Sequence, residues 1–164
     1  MKKLILSSLI PVLLGGCAGF GAPPPVAGER IDAVRARLGQ PTSTIPDGGD
    51  TLLEYATGPF GQRTYMARFG SDGALRSYEQ VLTDAKFGTI KVGADRIEKV
   101  VSTVGHPTEK SYLPLRELHV WSYRYKQSDV WDAMMHVHFD KNGIVRDMMA
   151  GPDPDREEKR SFFR

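Results

Sequence analysis

Apolar positions fall in two helical stripes, each followed by runs of alternating residues. Ile31, Val34 and Leu38 recur at the spacing of one helix face, and so do Ile97, Val100, Val101 and Val104. Each stripe stops at a glycine, Gly39 or Gly105, with Pro41 or Pro107 shortly after. Glycine supplies the left-handed turn that ends a helix, and proline cannot continue one. Asp95 and Glu98 have the spacing of a capping box for the second helix. Helices of roughly two to three turns do not stand alone in water, so both stripes are expected to pack on sheets.

The alternating runs supply those sheets. Residues 51–57, 63–69 and 74–82 read as strands in the first half, separated by Gly58-Pro59-Phe60-Gly61 and Ser71-Asp72-Gly73. Residues 118–126, 132–139 and 144–149 read as strands in the second, with Asn142-Gly143 as a hairpin signal. Each half is thus a short helix followed by a three-stranded antiparallel meander, and the class is α+β. Residues 81–92 join the halves, with Phe87 and Ile90 expected under the second helix.

The halves also match residue by residue. The segment from Arg30 to Thr42 aligns with Arg96 to Thr108, sharing Arg-Ile, a Val three residues further on, and Gly-x-Pro-Thr. Phe69-Gly70-Ser71-Asp72-Gly73-Ala74-Leu75-Arg76 aligns with Phe139-Asp140-Lys141-Asn142-Gly143-Ile144-Val145-Arg146. Two motifs repeated in the same order indicate internal duplication. The expected organisation is 1–16 signal peptide, 17–27 tether, 28–82 and 83–150 repeats, and 151–164 a charged, disordered tail.

The amino terminus sets the expected location. Lys2 and Lys3 precede an apolar run from Leu4 to Leu14, then Gly15, Gly16 and the chain's one cysteine, Cys17. The run is too short to span a bilayer, and Pro11 interrupts it. The pattern resembles that of bacterial lipoprotein precursors. The resemblance implies diacylglyceryl transfer to the Cys17 thiol, cleavage before it, and acylation of the new terminus. Three acyl chains give stable anchoring, and Ala18 in place of an aspartate favours the outer membrane. Pro23-Pro24-Pro25 then reads as an extended spacer. Removing Lys2 and Lys3 leaves 20 basic against 20 acidic residues. A charge near zero gives no electrostatic footprint for nucleic acid, and the acylated Cys17 leaves no disulfide.

The helix ending in Leu38-Gly39-Gln40-Pro41 or its second copy, the Tyr-containing strands, and Phe-x-x-Asp/Asn-Gly-x-Leu/Val together resemble the SmpA/OmlA (BamE-like) lipoprotein family. Lys86-Phe87-Gly88-Thr89-Ile90-Lys91-Val92-Gly93 is similar to that family's lead-in to the helix. The likeness covers residues 87–149 best. It implies no catalysis, no cofactor and a role beside the β-barrel assembly machinery. The tandem arrangement is also similar to the architecture of the β-lactamase inhibitor protein.

Chemistry-bearing residues are sparse. His136 and His138 share one face of a strand, with Met134, Met135, Met148 and Met149 near in sequence. Such ligands suit a soft metal, but polar residues alternating with Val137 and Phe139 describe a solvated strand face equally well, and no metal site is expected. Ser122, Ser128 and Ser161 lie in no nucleophile context, and Glu54 and Glu79 are separate strand carboxylates. Arg30, Arg35 and Arg37 read as a solvated helix face. The aromatics Phe60, Tyr125 and Trp131 fall at or near equivalent hairpin tips and are the candidate partner-binding residues. The expectation is a non-enzymatic, periplasm-facing binding or scaffold module, tethered by lipid to the outer membrane, with an envelope protein as partner. The alternative is a tethered inhibitor of a periplasmic hydrolase.

Overall fold

The computed structural model describes residues 23–58 and 61–156. Cys17 with the expected signal segment, Phe60, and residues 157–164 lie outside the described residues. Helix α1 (Ile31–Leu38) precedes strands β1 (Ser43–Asp47), β2 (Asp50–Ala56), β3 (Thr64–Phe69) and β4 (Leu75–Gln80). Helices α2 (Asp84–Phe87) and α3 (Ile97–Val104) then lead to β5 (Glu109–Leu113), β6 (Leu118–Gln127), β7 (Trp131–Phe139) and β8 (Val145–Pro152). Each set of four strands forms one antiparallel sheet in chain order, so the class is α+β.

Three differences from the sequence reading have physical causes. Each sheet has four strands, not three. The extra ones, β1 and β5, are edge strands. Pro46 sits in β1, where an edge tolerates a missing N–H, and every residue of β5 is exposed, so it lacks alternation. Secondly, β8 continues to Pro152, and Asp153 beyond it is fully buried. The tail expected from residue 151 is therefore structured as far as Arg156. Thirdly, Asp95 and Glu98 form no capping box. The N-cap of α3 is Arg96, with no side-chain cap, and Asp95 instead accepts a hydrogen bond from Lys91 N–H at 2.8 Å.

The two halves make the same hydrogen bonds at equivalent positions. Ile31 N–H donates to Gly73 O at 3.2 Å, and Ile97 N–H to Gly143 O at 3.0 Å. Leu75 N–H reaches Glu29 O at 2.8 Å, and Val145 N–H reaches Asp95 O at 2.9 Å. The guanidinium of Arg30 donates to Asp72 O, and that of Arg96 to Asn142 O. Each helix stops at a glycine with positive φ, 85° at Gly39 and 83° at Gly105. A tyrosine hydroxyl then meets that glycine's carbonyl: Tyr55 at 3.5 Å and Tyr123 at 3.3 Å.

Packing orders these elements in layers. Val34 of α1 packs on Leu53, Ala67, Phe69 and Leu75 of the first sheet. The opposite face of that sheet, with Ile45, Leu52 and Met66, packs on α3 through Val100, Val101 and Val104. Those same helix residues share a cluster with Trp121, Tyr123, Val137 and Phe139 of the second sheet. Helix α3 thus lies between the two sheets. Phe87 and Ile90, buried as expected, complete this cluster.

Candidate functional site

Trp131 opens β7 opposite Gln127, and it remains 57% exposed. A groove of about 390 Å3 runs beside it, lined also by Asp132, Ala133, Ala150, Gly151, Pro152 and Arg156. Small residues at the ends of β7 and β8 leave this space open beside the indole.

The groove is set on a braced strand end. In the β6–β7 turn, Ser128 and Asp129 hold φ of 51° and 58°, a conformation that side chains disfavour. Asp84 at the start of α2 secures the turn. It accepts from Ser128 N–H at 2.7 Å and from the Tyr125 hydroxyl at 3.1 Å. Asp132 accepts from Lys126 Nζ at 2.7 Å and from Gln62 Nε2 at 2.6 Å. Those two bonds, Lys126 foremost, hold its carboxyl below the usual carboxylate range. Gln62 lies between β2 and β3, so the structure brings this residue of the first half against the strand end bearing Trp131.

Tyr125 is not a surface contact. It is fully buried, its ring edge-on to Phe87 at 5.2 Å. Burial first, and the bond to Asp84 second, push its phenol up to about 12. Its position in β6 points it to the helix side of the sheet, which the tip reading overlooked.

The histidines fall in separate settings. His136 and His138 do share the outer face of the second sheet. His136 Nδ1 lies 2.8 Å from Ser122 Oγ, and His138 is buried. His119 packs against Tyr112 at 4.9 Å. Among the described residues, no group of three or more His, Cys, Asp or Glu side chains is placed to hold a metal ion.

His106 has the partner that sequence reading missed. Glu54, read as an isolated strand carboxylate, is 1% exposed and accepts from His106 N–H at 2.9 Å. Its other oxygen lies 2.6 Å from His106 Nδ1. Thr42 and Thr108 line the adjoining groove, and each hydroxyl oxygen already accepts a backbone N–H, from Ala56 and Arg124 respectively. With the partners 52 positions apart in sequence, no local motif announces the pair.

No family model and no curated protein matches the chain. Among solved structures, it is similar to a DUF4309 family protein (YjgB) from Bacillus subtilis subsp. subtilis str. 168, at 13% identity and a TM-score of 0.33. That alignment covers 76% of this chain and 78% of the other. A likeness this distant carries no inference about fold or activity here.

Proposed function

We propose that this chain is a non-enzymatic, lipid-anchored protein of the outer membrane that faces the periplasm as a binding or scaffold module. The Lys2-Lys3, apolar run and Cys17 pattern supports the anchor. The single observation that carries the binding role is the half-exposed Trp131 beside an open groove, on a strand end braced by Asp84, Gln62 and Lys126. A large, rigid aromatic with low ordering cost is what a protein partner uses as an anchor. The resemblance to the SmpA/OmlA family supports a partner in the β-barrel assembly machinery.

A photo-crosslinker placed at Gln127, beside Trp131, tests this in intact cells. Capture of an assembly component, abolished by Trp131→Ala without loss of the folded protein, is the expected result. Capture of a single soluble hydrolase would move the reading to a tethered inhibitor. No adduct dependent on Trp131 would overturn the groove as the contact. Separately, Cys17→Ser is expected to release the protein from membranes or leave it uncleaved; cleaved, membrane-bound protein in that variant would overturn the anchor.

A further inference from the structure

The face of the first sheet that receives α1 is covered only in part. An eight-residue helix is about 12 Å long, and beyond it three tyrosines from neighbouring strands form a row. Tyr55 of β2 pairs across the ladder with Tyr65 of β3. Tyr65 stacks on Tyr78 of β4, with ring centroids 5.4 Å apart and planes 12° from parallel. All three are half-buried. Strand alternation places Thr51, Leu53, Ala67, Phe69 and Gln80 on the same side, so these strands put no carboxylate on this face. Glu54 packs against His106 on the opposite side, and Glu79 pairs there with Lys86.

Two buried polar atoms on this face, one from each of two side chains, have no hydrogen-bond partner among the described residues. Arg35, on α1, acts electrostatically on Tyr55, and its Nε is buried without a hydrogen bond. Its neighbour Arg37 is, by contrast, paired with Glu29. Gln80, opposite Tyr65 in the ladder, donates its amide to Leu82 O, but its Oε1 is buried and unbonded. A guanidinium without an ion-pair partner among the described residues, beside Tyr55 and over strands that bring no acid to this face, is complementary to a negative ligand.

We propose that Tyr55, Tyr65 and Tyr78 with Arg35 form a docking surface for an extended acidic segment of a partner protein. This surface is distinct from the Trp131 groove and does not depend on it. Strands about 4.8 Å apart make the row of three rings about 10 Å long. An extended peptide presents alternate side chains about 6.7 Å apart, so apolar residues reach the rings while a carboxylate reaches Arg35. Tyrosine and arginine are also the residues that dominate interface energetics. An anionic membrane surface would call for several clustered cations, whereas this face offers one such cation and a row of rings.

The test uses the full chain in detergent micelles and two fluorescein-labelled octapeptides with Leu at positions 1, 3 and 5 and serine at the even positions, one carrying Glu at position 7 of that same face and the other Lys. Fluorescence anisotropy is expected to show the acidic peptide bound about tenfold more tightly or better. Arg35→Gln and Tyr78→Ala are each expected to weaken it by about fivefold. Tyr78→Phe, which keeps the stacked ring and the fold, is expected to bind within about twofold of wild type. Trp131→Ala is expected to bind as wild type does, separating this surface from the groove. Equal affinity for the two peptides, or unchanged affinity in Arg35→Gln, would overturn the proposal. So would vesicles containing about 30% phosphatidylglycerol that bind with the same dependence on Arg35, since the face would then be a lipid site.

Discussion

Glu54 and His106 join the two halves of the chain: a carboxylate from β2 receives both the backbone N–H and the ring Nδ1 of the residue that follows the turn ending α3. The glutamate is buried while the imidazole is 45% exposed. Glu54→Ala strands the His106 N–H in a buried seam, and the ring rehydrates. The expected loss is about 2 kcal/mol in urea unfolding, of which the screened ring contributes the smaller part. A double-mutant cycle with His106→Ala is expected to give a coupling of about 1 kcal/mol; additive losses would mean the pair does not link the halves.

The same seam distinguishes two glycines that look alike in sequence. Gly39 and Gly105 both hold φ near +85° with ψ near −167°, a region essentially reserved for glycine, so alanine at either costs about 2 kcal/mol. Around Gly39 a Cβ would meet nothing within 4 Å, but at Gly105 it would lie 2.6 Å from Glu54 Oε1. Gly105→Ala is therefore expected to lower stability by at least about 1 kcal/mol more than Gly39→Ala. Equal losses in parallel denaturant titrations would contradict the close approach.

On the outer face of the second sheet, Arg124 is 6% exposed and is held by Asp153, Asp155 and Glu109. Asp153 is fully buried, at 2.6 Å, while Glu109 is 55% exposed at 2.8 Å. Removing the buried partner leaves a desolvated guanidinium short of its counter-charge, so Asp153→Ala is expected to lose about 3 kcal/mol. Glu109→Ala is expected to lose less than about 1 kcal/mol, because water screens and replaces it. Thermal melts of the two variants rank them directly.

His136 gives the fold a pH dependence. Burial foremost, and the neighbouring His138 second, hold its imidazole below the ordinary 6.5, with Glu109 pulling the other way. The folded pKa is thus below the unfolded one. As the pH falls below 6.5 the unfolded chain takes up the proton first. Stability from neutral His136 is present above that pH and is lost as the pH falls through the folded pKa. The thermal midpoint is expected to drop between about pH 7.5 and 5.5, and His136→Gln to reduce that drop. An unchanged slope in the variant would assign the dependence elsewhere.

Periodic apolar residues followed by Gly-x-Pro made both principal helices legible, and six of the eight strands carried enough alternation to be seen. Strands β1 and β5 were hidden because an edge strand needs neither a buried face nor every N–H. Helix α2 was too short to show a stripe, although its Phe87 was legible as core. At the candidate site, Trp131 could be read as a tip residue, but Tyr125 lies on the same sheet face and is told from it only by the Phe87 of α2 that covers it. Glu54 with His106, and Tyr55 with Tyr65 and Tyr78, are products of strand pairing and layer stacking over long separations, for which a single sequence carries no local signal.

Because α3 rests on its own sheet with one surface and on the preceding sheet with the other, the halves meet head to tail and not about a two-fold axis. A contact of that kind does not close on itself. The surface that would accept a third copy is the outer face of the second sheet, where Val120, Ser122, His136 and His138 stand in place of Leu52, Glu54, Met66 and Arg68. Serine and histidine there replace the glutamate that seats a helix end and the methionine that packs against one. Those four substitutions make the faces that the two sheets turn away from their own helices different in chemistry, so the copies, alike in backbone bonding, are not interchangeable.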